Sequence, residues 1–330
     1  MIISKTPFRI SFFGGGTDYP AWFEKFGGAV LSTTIDKYCY ISIRYLPPFF
    51  DHKHRIVYSI VENVKSTKEI KHPVVKAILK HFKIDKGVEV HHDGDLPARS
   101  GLGSSSSFTV GMLNSIYALK GKIISKSQLA KEAIHIERDV LKENVGSQDQ
   151  VAVVYGGFNK IIFHNDHDFR VEAVTLHKEK IKQLQNHLML VFTGFSRFAS
   201  EIAAEQIKNT PNKEKELNVM RSMVDNAVEI LNSDTNFVEF GRLLNESWLV
   251  KKKLSSKVSN SQVDSLYNKA LKHGAIGGKL LGAGGGGFML LFVRPQDRQK
   301  LARGLKGFLE VKFKFEKEGS QIIYYNPQEV

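Results

Sequence analysis

Four consecutive serines, Ser104 to Ser107, follow Ser100-Gly101-Leu102-Gly103 and lead directly into the apolar pattern Phe108 to Leu119. Small hydroxyl residues are what the start of a helix prefers. Glycines let a backbone pass close to a ligand. The unpaired N–H groups and partial positive charge of a helix N-terminus suit a phosphate. A serine hydroxyl in that first turn also reaches a metal riding on the phosphates. A serine-rich linker would not run straight into a helical apolar pattern. The stretch Leu96 to Phe108 therefore predicts a phosphate loop of the backbone anion-site type.

Charged residues able to act on a bound phosphate lie far from this loop in sequence. Arg9 precedes Gly14-Gly15-Gly16-Thr17-Asp18, so a cation leaves a strand beside a glycine turn that ends in a carboxylate. Arg9 can hold charge near a reacting oxygen, and Asp18 can bind sugar hydroxyls. A hairpin turn with a turn-favouring Asp explains the same residues. Asp149 stands in Gly146-Ser147-Gln148-Asp149-Gln150, read as a turn before a strand, where it can cap, act as a base or anchor charge. Glu137 falls on the face of the preceding helix, where a plain surface Glu is the simpler reading. The run Gly282 to Gly287 can approach a ligand by backbone alone.

The common nucleotide fingerprints are absent. A Walker A loop needs a glycine five residues before Gly-Lys-Ser/Thr. At Gly278-Lys279 that position holds His273, and Leu280 follows the lysine. Gly282 to Gly287 fits G-x-G-x-x-G, but a strand pattern follows it, and a dinucleotide site needs a helix there. No His-Arg-Asp or Asp-Phe-Gly of the protein kinases occurs.

The elements that must position these residues can be read from periodicity. Ile2 to Phe13 and Ala29 to Tyr45 have strand chemistry, Pro73 to Phe82 and Ser127 to Glu143 helical chemistry. Gly87 to His91 is the strand feeding the serine loop, and Val151 to Phe163 reads as two short strands around Gly156-Gly157. Helices are expected over Arg197 to Lys208, Glu214 to Leu231, Phe237 to Leu254 and Ser261 to His273. The strand Phe288 to Val293 follows the late glycine run. The charged stretch Glu179 to Asn186 marks a boundary, giving domains 1–182 and 183–330.

The 330 residues suffice for two domains, with 42% hydrophobic and 25% charged residues. The single cysteine, Cys39, forms no disulfide within the chain, which fits a reducing compartment and predicts a cytoplasmic protein. Neither a signal peptide nor a membrane span is expected. The net charge of +13 suits a polyanion. Its densest runs, Lys178 to Lys182 and Lys251-Lys252-Lys253, read as solvated helix faces. Without zinc-finger spacing or an aromatic RNA-binding signature, small phosphorylated ligands fit better than nucleic acid.

Taken together, the Pro7-Phe8-Arg9 strand with its glycine turn, the loop from Pro97 through Gly101-Leu102-Gly103-Ser104-Ser105 and the late glycine run resemble the GHMP small-molecule kinases. The resemblance covers nearly the whole chain. It implies an α+β fold with an S5-like N-terminal domain, a ferredoxin-like C-terminal domain and a site in the cleft between them. It implies ATP and Mg2+ as cofactors, and a sugar phosphate as acceptor. By position, Pro97, Arg99, Gly101, Leu102, Gly103, Ser104, Ser105 and Ser106 would wrap the ATP phosphates. Ser105, or Ser104 or Ser106 if the register slips, would bind magnesium together with Glu137. Asp149 would be the catalytic carboxylate beside Arg9.

Within the family, Phe13-Gly14-Gly15-Gly16-Thr17-Asp18-Tyr19-Pro20 lacks the Gly-Glu-His of galactokinases and mevalonate kinases. Gly27 to Tyr38 and Thr193 to Ser200 look like the bacterial D-glycero-D-manno-heptose 7-phosphate kinases. That likeness implies phosphorylation of an anomeric hydroxyl on the way to nucleotide-activated heptose for surface polysaccharide. It places Gly15, Gly16, Thr17, Asp18, Gly284 and Gly285 on the substrate, with Arg197 on the substrate phosphate. A free-sugar kinase of the fucose or galactose type, a diphosphate decarboxylase and a non-catalytic sensor of the same fold remain as alternatives.

Overall fold

A computed structural model describes residues 1–195, 199–233 and 236–327. Its larger sheet is built on β1 (Ile2–Phe13) and the long β2 (Gly28–Tyr45), with helix α1 (Pro20–Phe26) between them. Strands β3 (His54–Val57), β4 (Val61–Val64) and, after helix α2 (Pro73–His81), β5 (Val88–Gly94) extend the sheet in the order β1-β2-β5-β3-β4. The other half of β2 pairs with β6 (Phe158–Phe163), which pairs with β7 (Phe169–Ala173). Three helices follow β5: α3 (Ser104–Leu119), α4 (Lys126–His135) and α5 (Gln148–Tyr155). Helices α3 and α5 pack on β1 and β2, and α4 packs on both of those helices.

Val151 to Tyr155 is thus helical, not the first of two strands. Its β-branched run reads as a strand in isolation. Here Gln150 to Val154 are all buried among α3, α4 and β1, and Gly156 at φ +70° ends the helix. Tertiary burial outweighs a weak local preference. The correction places Asp149 in the first turn of a helix rather than on a free turn.

Helix α6 (Lys178–Asn186) leads to a second sheet of β8 (Leu188–Phe192), β9 (Ala275–Leu280), β10 (Phe288–Val293) and β11 (Leu309–Val311). Between β8 and β9 run α7 (Ala199–Asn209), α8 (Glu214–Asn232), α9 (Val238–Lys252) and α10 (Ser261–Lys272), and α11 (Arg298–Gly304) precedes β11. The sheet order β11-β8-β10-β9, antiparallel throughout, is ferredoxin-like. Side chains alternate across it. Leu190, Phe288 and Phe292 join the main core, whereas Val191, Met289 and Leu291 pack with Trp248 and Tyr267 in a second one.

The chain then returns. Strand β12 (Phe315–Glu316) pairs with β2, and β13 (Gln321–Tyr325) pairs with β1. Sheet membership therefore puts residues 315–325 with the N-terminal half. Phe12 and Phe13 at the end of β1 meet Phe240 of α9 edge-on, so an aromatic contact in the core joins the larger sheet to the helices of the second half.

Candidate active site

The serine loop ends where α3 begins. Gly103, at φ +78°, precedes the helix and offers no side-chain cap, and the first intrahelical bond runs from Ser107 N to Gly103 O at 2.8 Å. The N–H groups of the first turn are therefore presented to the cleft. Gly101 and Gly103 both need left-handed backbone, and both have crowded Cβ positions. A Cβ on Gly101 would stand 2.5 Å from Leu281 O, and one on Gly103 would stand 3.1 Å from Arg9 Cγ. The late glycine run meets this loop directly. Phe288 N donates to Ser100 O at 3.1 Å, and a Cβ on Gly282 would lie 2.7 Å from Gly101 Cα.

Arg9 and Asp149 face each other across this junction. Arg9 Nε donates to Asp149 Oδ1 at 2.8 Å and Nη2 to Oδ2 at 2.7 Å, a bidentate pair. The third arm, Nη1, donates to Gly101 O at 2.7 Å. The Arg9 side chain is 4% exposed and that of Asp149 25%, so the carboxylate is the member open to a ligand.

Glu137 sits in a single π-helical turn, Ile136–Val140, that continues α4. Such a bulge re-aims one side chain at a functional site. It buries Glu137 completely, and burial pushes its carboxyl up to about 7. Ser106 Oγ donates to Glu137 Oε2 at 3.0 Å, and Gln150 Nε2 donates to the same oxygen. Among the described residues Oε1 accepts no hydrogen bond of good geometry, and the Thr109 hydroxyl is the other group that acts on this carboxylate, favouring its charged form. A buried carboxylate oxygen beside a serine hydroxyl is an oxygen donor set that fits magnesium.

Two family models match the chain, the GHMP kinases N terminal domain over residues 68–157 and the GHMP kinases C terminal domain over residues 223–311. The sequence is 31% identical to the D-glycero-alpha-D-manno-heptose 7-phosphate kinase of Campylobacter jejuni over 96% of this chain and 97% of that one. The chain belongs to the GHMP kinase family. Its fold is shared with a D-glycero-D-manno-heptose 1-phosphate kinase from Bacteroides thetaiotaomicron at 23% identity, with a TM-score of 0.81 and coverage of 98% and 99%. A putative sugar kinase from Campylobacter jejuni, 26% identical, superposes with a TM-score of 0.70 over 98% of each chain.

In this GHMP kinase the other expected site residues differ in exposure and partners. Ser105 is exposed, and Ser106 is the serine that meets Glu137. Thr17, expected on the sugar, is fully buried, and its hydroxyl donates to Gly14 O and Ala29 O. It braces the glycine turn. Asp18 is 2% exposed, with Oδ1 accepting from Gly16 N at 2.9 Å. Burial raises its pKa, and the charge of Asp149 adds to the effect. Its other oxygen fills the space where Gly146 has no Cβ, so it holds the loop before Asp149. Gly15 and Gly16 line the same turn, with Gln148 near Gly15 and Leu217 near Gly16.

Gly284 and Gly285 lie close to the backbone of Val258. A Cβ on Gly284 would stand 2.6 Å from Val258 O, and Gly285 N donates to the same carbonyl at 2.9 Å. Their close approach is to backbone. Pro97 and Arg99 are exposed on the loop, with Arg99 N donating to Ser104 Oγ at 3.1 Å, and Leu102 is buried beneath it. Arg197 lies outside the described residues.

Four residues near the cleft escaped the sequence reading. Ser100 and Gln150 are fully buried, each with a side-chain oxygen that has no partner among the described residues. Neither carries a motif that marks it. Lys279 is 2% exposed and donates to Phe12 O at 2.8 Å, and burial lowers its pKa well below the usual lysine value. Lys251 is 4% exposed, so the run Lys251 to Lys253 is not a wholly solvated face. The 3.6 period of α9 would have put Lys251 on the same side as Leu244 and Trp248.

Proposed function

We propose that this GHMP kinase, an ATP-dependent carbohydrate kinase, transfers the γ-phosphoryl group of ATP to the anomeric hydroxyl of D-glycero-D-manno-heptose 7-phosphate, for nucleotide-heptose synthesis in the cytoplasm. The observation that carries the reading is the bidentate Arg9–Asp149 pair at the mouth of the serine loop. The likeness to the Campylobacter jejuni enzyme supports the acceptor. Among the described residues no helix is long and apolar enough to cross a membrane.

ATP phosphates lie on the free N–H groups at the start of α3, where the helix dipole favours negative charge. Arg9 fixes both oxygens of Asp149, and Asp149 orients the acceptor hydroxyl. As that oxygen attacks the γ-phosphorus, its proton passes to Asp149 and the bond to the bridging oxygen of ADP breaks. Glu137 and Ser106 would hold magnesium, whose charge offsets that of the phosphates. The 7-phosphate of the acceptor requires its own cation, a role we assign to Arg197.

A coupled ADP-release assay across heptose 7-phosphate, free heptose, fucose and galactose tests this. Losing one charge-assisted phosphate contact costs about 1.5–3 kcal/mol, so free heptose should fall roughly 10–150-fold in kcat/KM. Equal kcat/KM for the two heptoses would remove the sugar-phosphate reading and favour a free-sugar kinase.

A further inference from the structure

Lys251 is the residue before the last of α9, and its ammonium is buried in the cleft. An ammonium carries three donors. The one protein acceptor it has among the described residues is a neutral carbonyl, Gly282 O. Its neighbour Lys252 pairs with Asp264 at 3.2 Å, whereas Lys251 has no carboxylate ion partner among the described residues. A buried cation without an anion is costly, and it persists where a ligand supplies the missing charge.

The position of that carbonyl says which ligand. Gly282 lies against Gly101 of the serine loop, and Gly101 O accepts from Arg9 Nη1. Lys251 thus reaches the junction at which the phosphate loop, Arg9 and Asp149 meet. The charges that act on it are Arg9, which disfavours its protonation, and Asp18 and Asp149, which favour it. Burial is the largest effect and brings it down to about 8, so it stays mostly cationic at neutral pH. Lys279 differs, because its acceptor, Phe12 O, belongs to the core strand β1 rather than to a loop.

We propose that Lys251 is a further catalytic residue, whose ammonium bonds an oxygen of the γ-phosphoryl group during transfer. The inference rests on Arg9 and Asp149 being the reacting centre. Charge on the transferring group spreads over its equatorial oxygens. A fixed cation in a water-poor cleft stabilises that charge without reorganising. Lys251 donates one N–H to Gly282 O and has two left for the phosphoryl oxygens. No atom is transferred to or from the lysine.

The test is Lys251→Met beside Asp149→Asn, each assayed with phosphorylated and free acceptor. Lys251→Met should lower kcat roughly 10²–10³-fold with either acceptor, as removal of one such donor does. Affinity for ADP alone should stay near the parent, while affinity for ADP with aluminium fluoride, a mimic of the transferring group, should fall by a comparable factor. Thermal stability should hold or rise, since an apolar side chain replaces a buried charge. A loss confined to KM for the phosphorylated acceptor would assign Lys251 to the substrate phosphate and overturn the proposal. Near-parental kcat with a lowered melting temperature would overturn it too. If Asp149→Asn turns over normally, the reacting centre itself is misplaced. If Asp149→Asn is inactive and Lys251→Met is not, the role of Lys251 alone fails.

Discussion

Ser106 and Glu137, 31 positions apart, are joined by a 3.0 Å hydrogen bond from the serine hydroxyl to Oε2. Successive helical residues point about 100° apart, so only one of two adjacent serines can face the π turn that carries Glu137. Ser106 does so from a buried position, and Ser105 points to solvent. Gln150 holds the same carboxylate oxygen from α5. Oε1 has no hydrogen bond of good geometry among the described residues.

The magnesium requirement should therefore follow Ser106 and not Ser105. Ser106→Ala is expected to raise the magnesium concentration for half-maximal turnover by at least about tenfold, the size of effect seen when a group orienting a metal ligand is lost. Ser105→Ala should stay within a few-fold of the parent. Titrating magnesium at saturating ATP for both variants, with manganese binding to the nucleotide complex followed in parallel, checks this. A larger effect at Ser105 would restore that serine as the ligand.

Asp149→Asn keeps the size of the side chain and removes its charge and basicity. If Asp149 takes the acceptor proton, kcat should fall by roughly 10²–10⁴. ATP affinity should change little if, as proposed, the phosphates are held by the start of α3. A structural Asp149 would instead give a lower melting temperature with near-normal turnover. Measuring kcat, ATP affinity and thermal stability on the one variant separates the two roles.

Acid should weaken the fold at the His72 cluster. His72 stacks on Phe108 of α3 at 4.6 Å, Tyr58 meets His72 edge-on at 4.8 Å, and His92 meets Phe108 edge-on at 5.1 Å. Burial lowers His72 from 6.5 to about 4, with His92 adding to the shift and Glu62 opposing it. The folded chain then binds fewer protons than the unfolded one across that window. Stability is full above pH 6.5 and is lost as pH falls towards 4, by on the order of 2–3 kcal/mol. His72→Asn keeps a helix-capping residue at the start of α2 and removes the titration. Denaturant melts at pH 7 and pH 5 should show a smaller acid loss in this variant, and an equal loss would place the acid sensitivity elsewhere.

The serine loop, the Arg9 strand and the late glycine run were legible because each is dictated locally. Positive φ needs glycine, a helix start needs small hydroxyl residues, and sheet strands need alternation. Glu137 and Asp149 could be named from the chain, but their surroundings could not. Sequence leaves open that α4 ends in a π turn, or that Val151 to Tyr155 is helical, since both depend on what packs around them. The burial of Lys251 is of the same kind. Its charge suggests solvent, whereas the folded chain buries it with its ammonium on Gly282 O. Thr17, Asp18, Gly284 and Gly285 were named for a ligand, and only the tertiary structure shows that they also hold loops of the chain itself. Local chemistry selects which residues can act. Long-range packing decides which of them face the cleft, because solvent exposure and charge environment come from contacts far apart in sequence.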